Sequence, residues 1–315
     1  MHPIRTAGGS FFYPPFMTNK PAKTILEQIT LLKTRGMIFR DEQIASKFLS
    51  NVSYYRLKGY WWDMQTDFAN HLFAPDTYFE DVVARYSFDR DLRIILFDAI
   101  EYIEVALRTK MIYHLSLRYS SLWYLESNLF DNSMAHTSFL EELKREFERS
   151  KEPFITDQRE RYPDNDADSW KILEVVSLGT LSKLYKNLHH QLPEKKIIAN
   201  QLGFNFSREL SSALESISFV RNIIAHHSRL WSRHMVKTPR EQLDNPLGAW
   251  LSIRLTQAQV TKPFLVITSM VYLCNTISPT HQIKSKLLDL FANNPTVPIY
   301  KLGFLNNWQM QPIWQ

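Results

Sequence analysis

Three observations make this chain read as all-α. Only eight of its 315 residues are glycine. Apolar residues recur mostly at spacings of three and four, which keeps one face of a helix apolar. Alternating apolar and polar runs, the mark of a half-buried strand, are few.

The elements run in order along the chain. Thr24 with Glu27 forms a capping-box pattern that opens the first helix, with Ile25, Ile29 and Leu32 as its buried stripe and Gly36 as its stop. A second helix starts at Asp41, with Ile44 and Phe48 inward. The block 51–62 (NVSYYRLKGYWW) comes next, then a loop over 63–76. Thr77 and Glu80 repeat the capping pattern and open a helix through Tyr86. A long helix covers 89–119, its inner stripe Leu92, Ile95, Leu96, Ala99, Ile103, Ala106 and Leu107. Residues 141–151 form a charged helix. Pro153, Pro163 and an acidic cluster mark 152–168 as an exposed connection. Helices follow at 169–188, 193–202 and 207–228. A loop with prolines near 238–247 precedes helices at 256–277 and 281–292. The aromatic tail 303–315 is expected to pack back on the body. The division expected is a helical, basic and aromatic segment at 1–76, a helical core at 77–292 with an insertion near 120–168, and a tail at 293–315.

Composition excludes some classes. The chain is long enough for one large or two small domains. No apolar run approaches the ~20 residues of a membrane span; the best lies around 264–274. The opening MHPIRTAGGSFFYPPF has no signal-peptide core. Cys274 is the single cysteine, so no internal disulfide forms, which suits a reducing compartment. The expected location is therefore the cytoplasm, with no membrane partner. The net charge of +5 favours an anionic partner. From Arg221 to Arg240 there are five Arg or Lys and no acid, and basic residues also exceed acidic ones over 1–59.

The most informative stretch is Arg221-Asn222-Ile223-Ile224-Ala225-His226-His227-Ser228-Arg229-Leu230-Trp231. Arginine grips a phosphate bidentately, and histidine moves protons near neutral pH. The pair points to chemistry on a phosphodiester. The nearest downstream acid is Glu241, so metal ligands are poorly supplied; no metal and no cofactor are expected. The bare spacing also starts from Arg108 (to His114) and Arg229 (to His234), but only Arg221 is followed by an amide. Asn222 and His226 are four apart and share a helix face. Arg221 and His226 are five apart, about 140° on an ideal helix. Either Arg221 reaches round, or the helix ends here, or the two act across a subunit interface. The same residues also suit a helix end stabilised by cations. His227, about 100° further round, reads first as a packing or capping residue.

Other candidates are weaker. Asp98, Glu101, Glu104 and Arg108 form a polar stripe on the long helix, either a solvated face or a set of groups facing the Arg221 helix. Arg56 and Lys58 sit among aromatics, a mixture that suits single-stranded RNA but also core packing. Trp231 lies beside Arg229 and Arg233 and has the same two readings. Trp170, Glu174 and Ser177 share a helical face, with Glu174 a candidate partner for a motif residue.

At RNIIAHHSRLW the chain resembles the HEPN superfamily, in its Abi-like (AbiD/AbiF-type) abortive-infection branch. LLKTRGM at 31–37, FLSNVSYYRLKGYWW at 48–62, FDRDLRIILFDAIEYIEVALRTK at 88–110, WKILEVVSLGTLSKLYKNL at 170–188 and LGFLNNWQMQPIW at 302–314 resemble its other blocks in order and spacing. The resemblance implies a HEPN-like helical bundle, here with additional N-terminal and C-terminal helices. It also implies metal-independent ribonuclease or RNA-binding activity, often in phage defence or toxin–antitoxin pairs. The function expected is an endoribonuclease acting as a toxin or phage-defence effector, with Arg221, Asn222 and His226 as catalytic residues. Supporting roles would fall to His227, Glu104, Glu101 and Arg108, and RNA contacts to Arg56, Lys58, Arg229 and Arg233. The expected partners are RNA as substrate, a structured inhibitory or guide RNA or a protein antitoxin, and a second copy in a homodimer. The alternative is a non-catalytic RNA-binding module regulated by a partner RNA or protein; a third is a protein-interaction component. Some members carry a tyrosine two places after the motif histidine, where a partner enzyme modifies them. Ser228 stands there, so that route of neutralisation does not carry over.

Overall fold

The computed structural model describes residues 21–315, together with one short antiparallel pairing of Ile4–Arg5 (β1) with Phe11–Phe12 (β2). Apart from that pairing, the opening twenty residues lie outside the described residues. The described residues are all-α in character, with thirteen α-helices and a second small hairpin. Two compact units divide the chain, Met1–Val83 and Ala84–Gln315.

The first unit holds α1 (Ile25–Thr34), α2 (Glu42–Asn51), α3 (Tyr54–Trp61) and the hairpin β3 (Gln65–Asp67) with β4 (Leu72–Phe73). α1 opens with the expected capping box, Thr24 and Glu27 bonding reciprocally. It closes before Gly36, whose φ of +92° suits a residue without a Cβ. α2 departs from the expectation. Its buried residues are Ala45 and Leu49, whereas Ile44 is exposed. The expected 63–76 loop instead contains the β3–β4 hairpin. Thr77 and Glu80 do not cap each other. Thr77 donates to the Ala74 carbonyl, and the Glu80 carboxylate accepts from the backbone N–H groups of Arg40 and Asp41. In the aromatic block, Leu57, Tyr60 and Trp61 are core residues, and Trp61 meets Tyr54 and Phe73 edge-on.

α4 (Phe79–Arg118) is one helix of 40 residues, about 60 Å long at 1.5 Å per residue. It replaces the two helices read from the sequence, because no stop signal separates Tyr86 from Asp89. Its buried line is Leu92, Leu96, Ala99, Ile100, Ile103 and Leu107, while Ile95 and Ala106 are half-buried.

The second unit continues with α5 (Ser133–Arg149), α6 (Pro153–Arg161), α7 (Ser169–Ile172), α8 (Leu178–Asn187), α9 (Pro193–Gln201) and α10 (Ser207–Ala225). It ends with α11 (Gln257–Val260), α12 (Pro263–Ile277) and α13 (Ile283–Ala292). Pro153 begins α6 rather than breaking a helix, because proline at the first helical position needs no N–H partner. By the same rule Pro263 starts α12 and divides the expected 256–277 helix. The expected 169–188 helix is broken after Ile172 by a 3₁₀ turn, and Ser177 caps α8 anew. α10 packs against α8, α9 and α12. α12 is buried from Pro263 to Cys274 yet spans only 15 residues. No helix of the described residues is long and apolar enough to cross a membrane.

Phe264, Phe291, Phe304, Trp308 and Trp314 form an aromatic cluster that anchors the tail. Each such ring buries roughly 150–250 Å². At about 25 cal/mol per Å² that is about 4–6 kcal/mol of gross stabilisation before entropy is subtracted.

Candidate active site

α10 presents one apolar face and one polar end. Leu210, Ala213, Leu214, Ile217, Val220, Ile223 and Ile224 are buried at the three-four spacing of an amphipathic helix. Glu209, itself buried, accepts from the N–H groups of Phe206 and Asp244 and so fixes the helix start. At the other end Arg221 is half-buried, and Asn222, His226 and His227 are exposed.

The helix stops inside the motif. Ala225 is its last residue and His226 its C-cap, with φ −87° and ψ 11°. His227 turns left-handed at φ +52°. Its N–H donates to the Ile224 carbonyl at 2.8 Å, and the Ser228 N–H donates to Ile223 at 2.9 Å. This is a Schellman closure, in which the left-handed place usually belongs to glycine. Histidine tolerates that region better than most residues. The expected helix end at 228 is therefore corrected to 225, and His227 serves the closure. Of the three possibilities considered, the helix does end at this point, but the described residues show no bond between Arg221 and His226.

Asp89 anchors the chain beyond this turn. Its fully buried carboxylate accepts from the backbone N–H of Leu230 at 3.2 Å and of Trp231 at 2.6 Å, and from Arg93 Nε at 3.3 Å. The Trp231 indole is buried, edge-on to Phe88, with the Arg85 guanidinium 5.7 Å from its centre. Packing, rather than stacking on a base, is thus the role of Trp231. The N-terminal half of α4 pins the chain directly after the histidines. Sequence reading missed Asp89. The signal was present, since Asp89 lies three before Leu92, an acid in line with an apolar stripe.

The middle of α4 meets Arg221. Phe97, Ile100, Glu101, Glu104, Val105, Arg108 and Arg221 line a cleft of about 290 Å³. Glu101, Glu104 and Arg108 of the polar stripe thus share a cleft with Arg221, whereas Asp98 pairs with Lys286, and among the described residues no carboxylate bonds to Arg221 or His226. Arg108 is committed to structure. It donates to Glu104 at 2.8 Å, to the Val176 carbonyl at 3.1 Å and to Glu174 at 3.4 Å, and is itself buried. Glu174 thus partners Arg108, not a motif residue, and it lies in the 3₁₀ turn, off the helical face read from sequence. Arg108 and His114 do not form a second motif, because His114 faces Gln201 at 3.0 Å. Glu101 is exposed and makes no hydrogen bond or ion pair among the described residues.

Arg221 makes one long hydrogen bond, 3.4 Å, to Asn222 Oδ1. Its side chain lines the cleft and is half-buried. The His226 ring makes no hydrogen bond among the described residues. His226 is not part of the cleft lining; it stands one turn on, at the helix end. Arg233 donates to the Arg229 carbonyl at 3.0 Å. Burial and the neighbouring Arg229 charge draw the Arg233 guanidinium below its ordinary range, though it stays protonated at neutral pH. In the first unit Arg56 is exposed, and the Lys58 ammonium lies 5.3 Å from the Trp62 ring centre.

A family model described as Abi-like protein matches residues 47–232. The match ends one residue past Trp231 and leaves the blocks at 31–37 and 302–314 outside. No curated protein and no solved structure matches the chain.

Proposed function

The chain belongs to the Abi-like protein family, and on that premise we propose that it is an abortive-infection effector that cleaves RNA without a metal ion. The reading places it in the HEPN superfamily, in the AbiD/AbiF-type branch. Arg221 and His226 are the catalytic pair, with Asn222 beside them. One observation carries the reading: a guanidinium and an imidazole occupy the exposed end of one helix, and internal bonds consume neither.

The chemistry needs three functions. A base takes the ribose 2′-hydroxyl proton as that oxygen attacks phosphorus. Charge on the phosphorane is stabilised. The departing 5′-oxygen receives a proton as its bond to phosphorus breaks. His226 supplies or accepts a proton, and Arg221 binds the phosphorane through charge-assisted hydrogen bonds. The products are a 2′,3′-cyclic phosphate and a 5′-hydroxyl, and DNA, lacking the 2′-hydroxyl, survives. One chain supplies one imidazole in this role. The acting form is therefore taken to be a homodimer, in which a second copy supplies the other. Phe97 and Val105, each about half exposed on the rim of the Arg221 cleft, are the apolar surface such a copy would cover. A structured RNA or a protein antitoxin would restrain the enzyme.

The test is cleavage of labelled RNA by purified protein in EDTA. Wild-type protein should give cyclic-phosphate ends. His226→Ala or Arg221→Ala should lower the rate by about 10²–10⁴-fold with an unchanged circular dichroism spectrum. Undiminished cleavage by His226→Ala would sink the assignment. A second reading, an RNA-binding module without catalysis, is favoured by the position of His226 outside the cleft that Arg221 lines. RNA binding with no cleavage would select it.

A further inference from the structure

Far from the motif in sequence, two segments are stitched together at the start of α5 and the end of α8. The Asp131 N–H donates to the Asn187 carbonyl at 2.9 Å, and the His189 N–H to Leu129 at 2.7 Å. The Asn187 side chain adds two more bonds, accepting from the Asn132 N–H and donating to the Asn132 carbonyl, each at 3.0 Å. This backbone frame holds the side chains of Asp131, His189 and His190 together. Asp131 Oδ1 lies 3.0 Å from His190 Nδ1 and 3.6 Å from His189 Nε2. One donor atom from each residue falls within 4.8 Å of the others, the sole such trio among the described residues.

We infer that Asp131, His189 and His190 form a binding site for a zinc-like divalent cation, separate from the Arg221–His226 site and independent of the nuclease reading. Tetrahedral zinc with bonds of 2.0–2.1 Å places its ligands about 3.3–3.4 Å apart. Two of the three separations already bracket that value. Both histidines are partly exposed, His190 at 67% of its side chain and His189 at 34%, so the rings turn to close the third at little cost. Two imidazoles and one carboxylate suit zinc, cobalt or nickel. They do not suit calcium or magnesium, which demand mostly oxygen. The neighbouring ammonium of Lys195 donates to the carbonyls of Lys186 and Leu188, which leaves the Asp131 carboxylate to the histidines. The cation would replace the Gln191 N–H bond to His189 Nδ1, 3.3 Å in this structure. That bond puts the ring proton on Nε2, and metal on Nε2 moves it to Nδ1. The bound ion would clamp the segment before α5 to the segment after α8.

The experiment is a zinc titration of the full chain, stripped with chelator and desalted. One zinc per chain at micromolar concentration is expected. Asp131→Asn, His189→Ala or His190→Ala should each weaken it about tenfold or more, as loss even of an outer-shell partner does. His226→Ala should bind zinc as wild type does. A readout that needs no variant is diethylpyrocarbonate modification followed by mass spectrometry. Zinc should slow reaction at His189 and His190 but not at His114 or His226. No zinc uptake at micromolar concentration, equal uptake by the triple variant, or unprotected histidines would each overturn the site and leave only a hydrogen-bonded pair.

Discussion

At the scale of single residues, the motif is held by groups that do no chemistry. Asp89 is the clearest. Replacing it with alanine strands two backbone N–H groups and the buried Arg93, and breaking a buried charged partnership of this kind costs about 3–5 kcal/mol. Urea denaturation should show that loss, and RNA cleavage should fall with it. Asp89→Asn keeps one acceptor oxygen and should cost less. His227 offers the converse. Its left-handed backbone strains any residue with a Cβ, so His227→Gly should hold or raise the melting temperature, gaining up to about 1 kcal/mol. A large destabilisation would show that the imidazole, not the turn, holds this point. Sequence made Arg221, Asn222 and His226 legible, because residue type alone announces their chemistry. Asp89 was hidden. Its partners are backbone N–H groups some 140 positions away, which no side-chain pattern displays.

Among the elements, α10 is the one that positions the site, and α8 lies along it. Glu215 on α10 receives Lys237 and Lys186, and these two hydrogen bonds hold its carboxyl below the usual carboxylate range. A carboxyl lowered on folding contributes stability above its unfolded value, and that stability is lost as pH falls through the lowered folded value. Glu215→Gln should therefore lose roughly 0.5–1 kcal/mol at pH 7, a partly exposed pair being worth little more. The difference should vanish well below the ordinary value of 4.5. Paired urea titrations at pH 7 and in acid check both halves. At this scale the sequence was legible wherever a three-four stripe ran uninterrupted, as in α1, α9 and α10. It misled where proline was taken as a breaker, at Pro153, and where the turn after Ile172 depended on Arg108 reaching the Val176 carbonyl from another helix. The inward face of α2 was misjudged at Ile44, which is exposed while Ala45 and Leu49 pack; Phe48 is half-buried, edge-on to Phe79.

On the scale of the whole molecule, charge is the remaining lever. The chain is basic, with a net charge of +5, and its cations are in excess near the motif and over residues 1–59. RNA affinity should fall steeply with salt. Arg56→Gln or Lys58→Gln should weaken binding similarly for all sequences and lower the log–log salt slope by about one, if each meets a phosphate. An unchanged slope would return both residues to structural duty. The grip of Asp89 on Leu230 and Trp231 has a further genetic meaning. If expression of this chain halts growth, colonies that survive should carry changes at Asp89 and the surrounding indole packing as well as at Arg221 and His226. The first group should leave little folded protein, and the second should leave normal amounts of an inert one.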